Sequence, residues 1–186
     1  MMKAIYVCTI VLFFLFFNYG QTRNSFAHEG HDHSHDTAPV TIERSTYTHF
    51  QSILSIYQET YLNLIKGQLS SISVLAQILL DTAGKGIQTE TRESGRHMMQ
   101  HIYDGAQKLR QAEGLQETQK AFASISEAIL PFFKSWPNQL NSNNIKLFQC
   151  KEHENYWLQP QNLSPICPYT LDKLLNCTEI IEVIEE

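Results

Sequence analysis

Apolar residues recur every three or four positions through the middle of the chain. The first stripe consists of Tyr47, Phe50, Leu54, Tyr57, Tyr61 and Leu64. Residues at this spacing share one face of an α-helix, so the stripe predicts an amphipathic helix. Beyond Gly67 the same period continues at Ile72, Leu75, Ala76 and Leu79. The pattern therefore predicts a helical segment over residues 43–83, either continuous or bent into two pieces at Gly67.

Two more stripes follow along the chain. The second consists of Met98, Ile102, Ala106 and Leu109, and the third of Phe122, Ile125, Ile129, Phe132 and Trp136. Gly84 and Gly86 predict a loop before the second stripe, and Gly114 predicts its C-terminal cap. Pro131 predicts a kink or a break just before Phe132, because proline removes a helical hydrogen bond. Three to four amphipathic helices joined by short loops predict an all-α fold, an antiparallel helical bundle.

The last forty residues lose this period. Ile145, Leu147 and residues 180–184 are typical of short strands, whereas residues 169–175 fit a helical turn. The spacing of apolar residues in this segment is compatible with either strands or a helix. We therefore expect a bundle domain over residues 41–186 that ends in a short irregular segment containing cysteines, with short strands as an alternative.

The N-terminus has the features of a cleavable signal peptide. Lys3 precedes an apolar run over residues 5–17, which is too short for a permanent membrane span. Ser25 and Ala27 place small residues at the −3 and −1 positions of a leader peptidase site. Residues 1–27 are therefore predicted to be removed on export, which leaves a periplasmic or secreted protein without a membrane anchor.

Charge and motifs narrow the range of functions. Cleavage would remove Lys3 and Arg23 but no acid, so the mature chain has 12 basic and 19 acidic residues and a net charge of −7. This balance argues against nucleic acid or an anionic membrane surface as the partner. The sequence carries no phosphate-binding loop, haem motif or nucleophile–base pattern, so we expect no enzymatic activity.

Residues 28–40 read HEGHDHSHDTAPV and have no apolar periodicity, which predicts a disordered tail. The tail carries four histidines, His28, His31, His33 and His35. Neutral imidazoles bind Cu(II), Ni(II) and Zn(II), and a flexible chain can gather several of them around one ion. The alternative is a polar linker that binds metal without biological use.

His97 and His101 lie four residues apart in the second predicted helix and so share a face. One helical turn can bring two imidazoles to one metal ion. The zinc-protease pattern HExxH is absent, because no Glu stands at its second position. The alternative is a solvated or helix-packing histidine pair.

The C-terminal segment contains Cys150, Cys167 and Cys177, with His153 three residues after the first cysteine. Two sulfurs and an imidazole suit Cu(I) or Zn(II), although the cysteine spacings match no zinc-finger arrangement. An oxidising compartment would equally permit one disulfide. Both alternatives need two cysteines close together, so the sequence does not separate them.

Three segments carry a family resemblance: YLNLIKGQLSS at 61–71, KAFASISEAILPFF at 120–133, and the cysteine-bearing end. The end matches at Cys150, Tyr156-Trp157-Leu158, Pro168-Tyr169 and the LLNC run that closes at Cys177. Together, residues 47–177 resemble an uncharacterised helical domain of bacterial envelope proteins. That domain is also found appended to periplasmic adaptor subunits of CusB-type copper and silver efflux pumps.

The resemblance implies heavy-metal handling, with Cys150 and Cys177 as the matching cysteines. It implies a 150–177 disulfide under oxidising conditions and a Cu(I) site on reduction, with His153 as a substitute donor. Cys167 stands where the family has Asn. Glu152 and Leu174 stand where the family has methionines, so half of the family's soft donor set is missing.

The leading hypothesis is a periplasmic metal-binding accessory protein that handles copper, or else zinc or nickel, as a partner of an efflux pump or another envelope protein. Its candidate metal ligands are His28, His31, His33, His35, His97, His101, Cys150, His153 and Cys177. The alternative is a non-catalytic structural or interaction module of an envelope complex, with one disulfide.

We predict that mass spectrometry of the protein exported by its native host will find His28 at the N-terminus. The apolar run is followed by Ser25-Phe26-Ala27 and then abruptly by charged residues, as a leader peptidase requires. A mature chain that retains residues 5–17 would contradict the signal-peptide prediction.

Overall fold

Four helices and a small sheet make up the computed structural model, which describes residues 40–135, 145–150, 154–171 and 178–182. The helices are Arg44–Ile65 (α1), Leu69–Thr89 (α2), Glu93–Gln111 (α3) and Leu115–Ser135 (α4). The prediction of a mostly helical bundle with a short C-terminal segment is confirmed. All of the described residues belong to one unit, Thr37–Glu186.

Each connection between successive helices is three residues long, so neighbouring helices run antiparallel. The bend expected at Gly67 is a true chain reversal, because Gly67 adopts a φ of 69° between α1 and α2. Gly114 adopts a φ of 92° between α3 and α4, which confirms the predicted left-handed position. The first predicted segment is therefore two helices.

The loop expected at Gly84 and Gly86 is wrong, since α2 continues through both residues to Thr89. Of the two, Gly86 serves close packing. A Cβ on Gly86 would lie 3.1 Å from Met99 Sδ, so the glycine lets α2 and α3 approach each other. Tertiary packing here outweighs the low helix propensity of glycine.

Pro131 does not break the third predicted helix, because α4 continues through it to Ser135. The turn that follows the proline is held by packing. Phe132 is buried, and its ring centroid lies 4.5 Å from that of Phe50 on α1. Trp136, the last member of the predicted stripe, lies outside the described residues.

Three strands form the C-terminal sheet: Ile145–Cys150 (β1), Tyr156–Pro160 (β2) and Thr178–Glu182 (β3). Their order is β2-β1-β3, with both pairings antiparallel. Strands at 145–150 and 178–182 were one of the two expected outcomes, whereas β2 was not predicted. Residues 168–170 form a turn, and the rest of the expected helical turn, 172–175, lies outside the described residues.

The sheet covers the space between α1 and α4. Trp157 and Leu158 of β2 are buried there, and Tyr57 of α1 stacks on Phe122 of α4 with ring centroids 4.8 Å apart. The Leu158 backbone N–H donates to Tyr57 Oη at 3.2 Å. The bundle core and the sheet are therefore one continuous apolar cluster.

Within the part of the chain that the structure describes, no helix combines the length and apolar character needed to cross a membrane. The predicted signal peptide, residues 1–27, lies outside the described residues. So does the predicted tail up to residue 39. Both remain predictions.

We predict that Gly105→Ala destabilises the protein by about 1–3 kcal/mol, because the added Cβ would lie 2.7 Å from Ile125 Cγ1 where α3 meets α4. Gly84→Ala is the matched control. Its Cβ meets only Tyr103 Cε2 at 3.8 Å, so we expect a gain of up to about 1 kcal/mol from helix propensity. Urea unfolding monitored by circular dichroism measures both, and equal effects of the two substitutions would contradict the close α3–α4 contact.

Candidate functional site

Two histidines on the outer face of α3 are in contact with each other and open to solvent. The buried stripe of α3 runs through Met99, Ile102 and Leu109, and the histidines lie off that stripe. His97 and His101 are both exposed. Their exposure fits a solvated histidine pair rather than a helix-packing one, and the solvated pair stays the alternative to a metal site.

The two rings are in direct contact. His101 Nε2 lies 2.9 Å from His97 Nε2, and the ring centroids are 4.4 Å apart with the planes nearly perpendicular, at 86°. One imidazole donates a hydrogen bond to the other, so at least one of them is neutral. The i, i+4 spacing of the helix thus presents two ring nitrogens side by side.

The surroundings of His101 favour its neutral form. Partial burial lowers the pKa of His101, and the neighbouring His97 lowers it further. Asp104, one turn along, acts in the opposite direction, while Lys108 adds to the lowering. His101 is therefore unprotonated at neutral pH and has a lone pair to offer.

The distance between the two nitrogens fits adjacent positions around a metal ion. With metal–nitrogen bonds of about 2.0–2.1 Å, a separation of 2.9 Å corresponds to an angle of about 90° at the metal. That angle is the one between neighbouring ligands in square-planar or octahedral coordination, as for Cu(II) or Ni(II). Tetrahedral Zn(II) would require the nitrogens to move apart.

The pair supplies two ligands, and nothing in the described ranges brings three or more His, Cys, Asp or Glu side chains into a metal-binding group. His49, on α1, is not part of such a group either. The remaining predicted ligands, His28, His31, His33, His35, His153 and Cys177, lie outside the described residues. Water would fill the other coordination positions of an ion held by α3.

Cys150 and Cys167 are brought together, which the sequence did not predict. Cys150 ends β1, Cys167 lies in the segment that follows β2, and both side chains are completely buried. They are thiols in this structure, and the Cys150 side chain forms a hydrogen bond with Cys167.

Burial raises the pKa of Cys167 to about 11. Hydrogen bonds from the Thr170 side chain and from the backbone of Tyr169 and Thr170 lower it only partly, and Cys150 raises it again. At neutral pH Cys167 is a protonated thiol, which is a poor metal ligand and a poor nucleophile.

The pairing of Cys150 with Cys177 that the resemblance implies is not tested, because Cys177 lies outside the described residues. The β1–β3 register places Thr178 opposite Cys150. No spacing rule indicated Cys167, because its approach to Cys150 depends on how the segment after β2 folds back over the sheet. Sequence reasoning therefore missed it.

The other titratable groups inside the protein are structural. Burial raises the pKa of Tyr57 and Tyr61 well above the ordinary tyrosine value, and both hydroxyls are hydrogen-bonded. Among the described residues, no buried side-chain nitrogen or oxygen lacks a hydrogen-bond partner. The buried polar side chains of the described residues therefore leave no unpaired donor or acceptor that could bind a substrate.

One apolar groove of about 580 Å³ opens at the C-terminal end of α1. Its lining includes Leu62, Ile65, Pro160, Leu163 and Ile166. Lys66 is the one charged residue in that lining. The groove therefore offers apolar contact but no set of groups for catalysis.

No protein-family model, characterised protein or solved structure matches this chain. The resemblance to an envelope domain associated with copper and silver efflux therefore stays a prediction.

We predict that His101 titrates below the ordinary histidine pKa of about 6.5 in an NMR pH titration of its ring signals. His97→Ala should raise the midpoint by removing a positive neighbour, and Asp104→Asn should lower it by removing a negative one. Shifts in the opposite directions would contradict the electrostatic description of this face of α3.

Proposed function

We propose that this protein is a non-catalytic metal-binding accessory protein of the bacterial envelope, which captures Cu(II) on the exposed face of α3. The observation that carries the proposal is the 2.9 Å separation of the Nε2 atoms of His97 and His101. A second, independent capture site is the predicted histidine tail, with His28, His31, His33 and His35.

Preorganisation is the physical advantage of the site on α3. The i, i+4 spacing brings both rings to one face of the helix before metal arrives. Metal binding would replace the hydrogen bond between their Nε2 atoms and release the proton that one of them carries. Cu(II) is favoured over the other divalent ions because it binds nitrogen ligands most tightly in this series and accepts an angle of about 90° between neighbours. Ni(II) and Zn(II) are the next candidates.

Two ligands suit capture and transfer better than permanent storage. An ion held by two imidazoles and water keeps open positions, so a partner protein with more ligands can take it over. Such an exchangeable site is what an accessory protein of metal efflux requires. The exposure of both histidines leaves that approach open.

The alternative function, an interaction module, is favoured by a different surface. Val74 and Ile78 lie one turn apart on α2 and are exposed, at 62% and 46% of their maximal area. Two neighbouring exposed aliphatic residues offer a small apolar surface to a partner. The two functions are compatible, because metal transfer itself requires docking.

We predict that the mature protein binds Cu(II) at two independent places in isothermal titration calorimetry. His97→Ala should weaken one binding event by about 10-fold or more, and His101→Ala should do the same, since either change leaves a single imidazole. The double substitution should cost little more than either single one, because the two rings act as one chelate. Deleting residues 28–36 should remove the other binding event and leave the helical circular dichroism spectrum intact.

His49→Ala is the matched control, because His49 lies on α1 outside the pair and should leave both events unchanged. Continuous-wave EPR of Cu(II) bound to the protein that lacks residues 28–36 should show nitrogen coupling, and the double substitution in that same protein should remove it. Wild-type affinity and stoichiometry in the double variant and in the deletion variant would refute metal capture. The interaction module would then be the remaining function.

A further inference from the structure

The buried cysteine pair has a chemistry of its own, separate from metal capture by histidine. We propose that Cys150 and Cys167 form a structural disulfide in the exported protein, which fastens the C-terminal sheet to the helices and leaves Cys177 as the unpaired cysteine. The proposal does not depend on the metal site of α3.

The two cysteines belong to segments that are each held in place. The Cys150 N–H donates to Asn155 O at 2.8 Å, and the Leu171 N–H donates to Cys167 O at 2.9 Å. Their side chains are already in hydrogen-bond contact. Joining the sulfurs therefore requires a local adjustment rather than a rearrangement of the fold.

The bond would connect the sheet to the part of the chain that rests on the helices. Just before Cys167, the carbonyl of Ile166 lies 2.9 Å from Tyr61 Oη on α1. Just after it, Gln119 Nε2 on α4 donates to Pro168 O at 2.9 Å. A covalent link from Cys150 would thus tie the end of β1 to both helices through this anchored segment.

A soft metal is a poor occupant of this position. A Cu(I) ion between two thiolates leaves one net negative charge, and both sulfurs are completely buried. The groups that act on Cys167 are Cys150, Thr170 and the backbone of Tyr169, with no cation among them. A disulfide is neutral and meets no such penalty.

The β1–β3 register places Cys150 opposite Thr178 of β3. Cys167 is the cysteine whose side chain Cys150 contacts. The alignment that the family resemblance implies and the packing of the sheet thus point to different partners for Cys150.

The oxidant would be a disulfide donor of an oxidising compartment, acting by thiol–disulfide exchange. The two cysteine thiols lose two electrons and two protons, and the donor disulfide is reduced to two thiols. Exchange needs a thiolate that the donor can reach, whereas both cysteines are buried and the pKa of Cys167 is about 11. The bond would therefore close before the core is complete and then resist reductants.

Peptide mapping of the protein exported into an oxidising compartment tests the pairing. After alkylation without reductant, we expect a cross-linked peptide pair containing Cys150 and Cys167, with Cys177 alkylated. A 150–177 or 167–177 cross-link would overturn the proposal. So would alkylation of all three cysteines under denaturing conditions.

Thermal unfolding separates the effect of the disulfide bond on Tm from the effect of the cysteine side chains themselves. Reduction in denaturant and refolding should lower the Tm of the wild type by roughly 5–10 °C, because the closed loop restricts the unfolded chain. The same treatment should not change the Tm of the Cys150→Ala, Cys167→Ala variant, and Cys177→Ala should behave as the wild type. A wild-type Tm that is indifferent to reduction would overturn a stabilising role.

Reduction kinetics complete the test. A phosphine reductant should open the bond slowly under native conditions and much faster in denaturant, because neither sulfur is exposed. Rapid native reduction would contradict the buried position. Cu(I) bound stoichiometrically by the reduced wild type and lost in the double alanine variant would instead assign the pair to metal binding.

Discussion

Two tyrosine hydroxyls inside the core need hydrogen-bond partners, and the C-terminal sheet supplies some of them. Tyr57 and Tyr61 are buried on α1, and a buried hydroxyl without a hydrogen bond costs about 1–3 kcal/mol. Tyr57 Oη lies 2.7 Å from Ser126 Oγ, and Tyr61 Oη lies 2.8 Å from Gln159 Oε1. Gln159 belongs to β2, so the helices and the sheet complete each other's hydrogen bonding as well as their apolar packing.

A second buried polar group fixes the helix that carries the histidine pair. The Glu90 carboxylate is buried and accepts the backbone N–H groups of Glu43 and Arg92, each at 2.9 Å. These donors stand at the starts of α1 and α3, where helical N–H groups lack partners and negative charge is favourable. Gly95 leaves room for the carboxylate, since a Cβ there would lie 2.9 Å from Glu90 Cδ. The start of α3 is thereby anchored, with His97 and His101 on its outer face.

Burial distinguishes the histidine pair from the cysteine pair. The imidazoles of His97 and His101 are exposed, and the lowered pKa of His101 keeps it ready to bind a cation. The thiols of Cys150 and Cys167 are enclosed, and the raised pKa of Cys167 keeps it protonated. This difference in burial supports the proposals of a charged metal complex at the surface of α3 and of a neutral disulfide in the core.

The sequence by itself determined the helices, because the spacing of a stripe such as Phe50, Leu54 and Tyr57 places all of its members on one face of an α-helix, which can then be buried. It also determined the proximity of His97 to His101, which follows from the geometry of one helical turn. It left open whether the chain bends at Gly67, and the structure shows a reversal there, with Gly67 at a φ of 69°. Only the tertiary structure decided that α2 runs through Gly86 and that α4 runs through Pro131, since contacts with Met99 and Phe50 outweigh local propensity there. The meeting of Cys150 with Cys167 was likewise decided by tertiary packing, because it requires the segment after β2 to dock on Tyr61 and Gln119, which are distant in sequence.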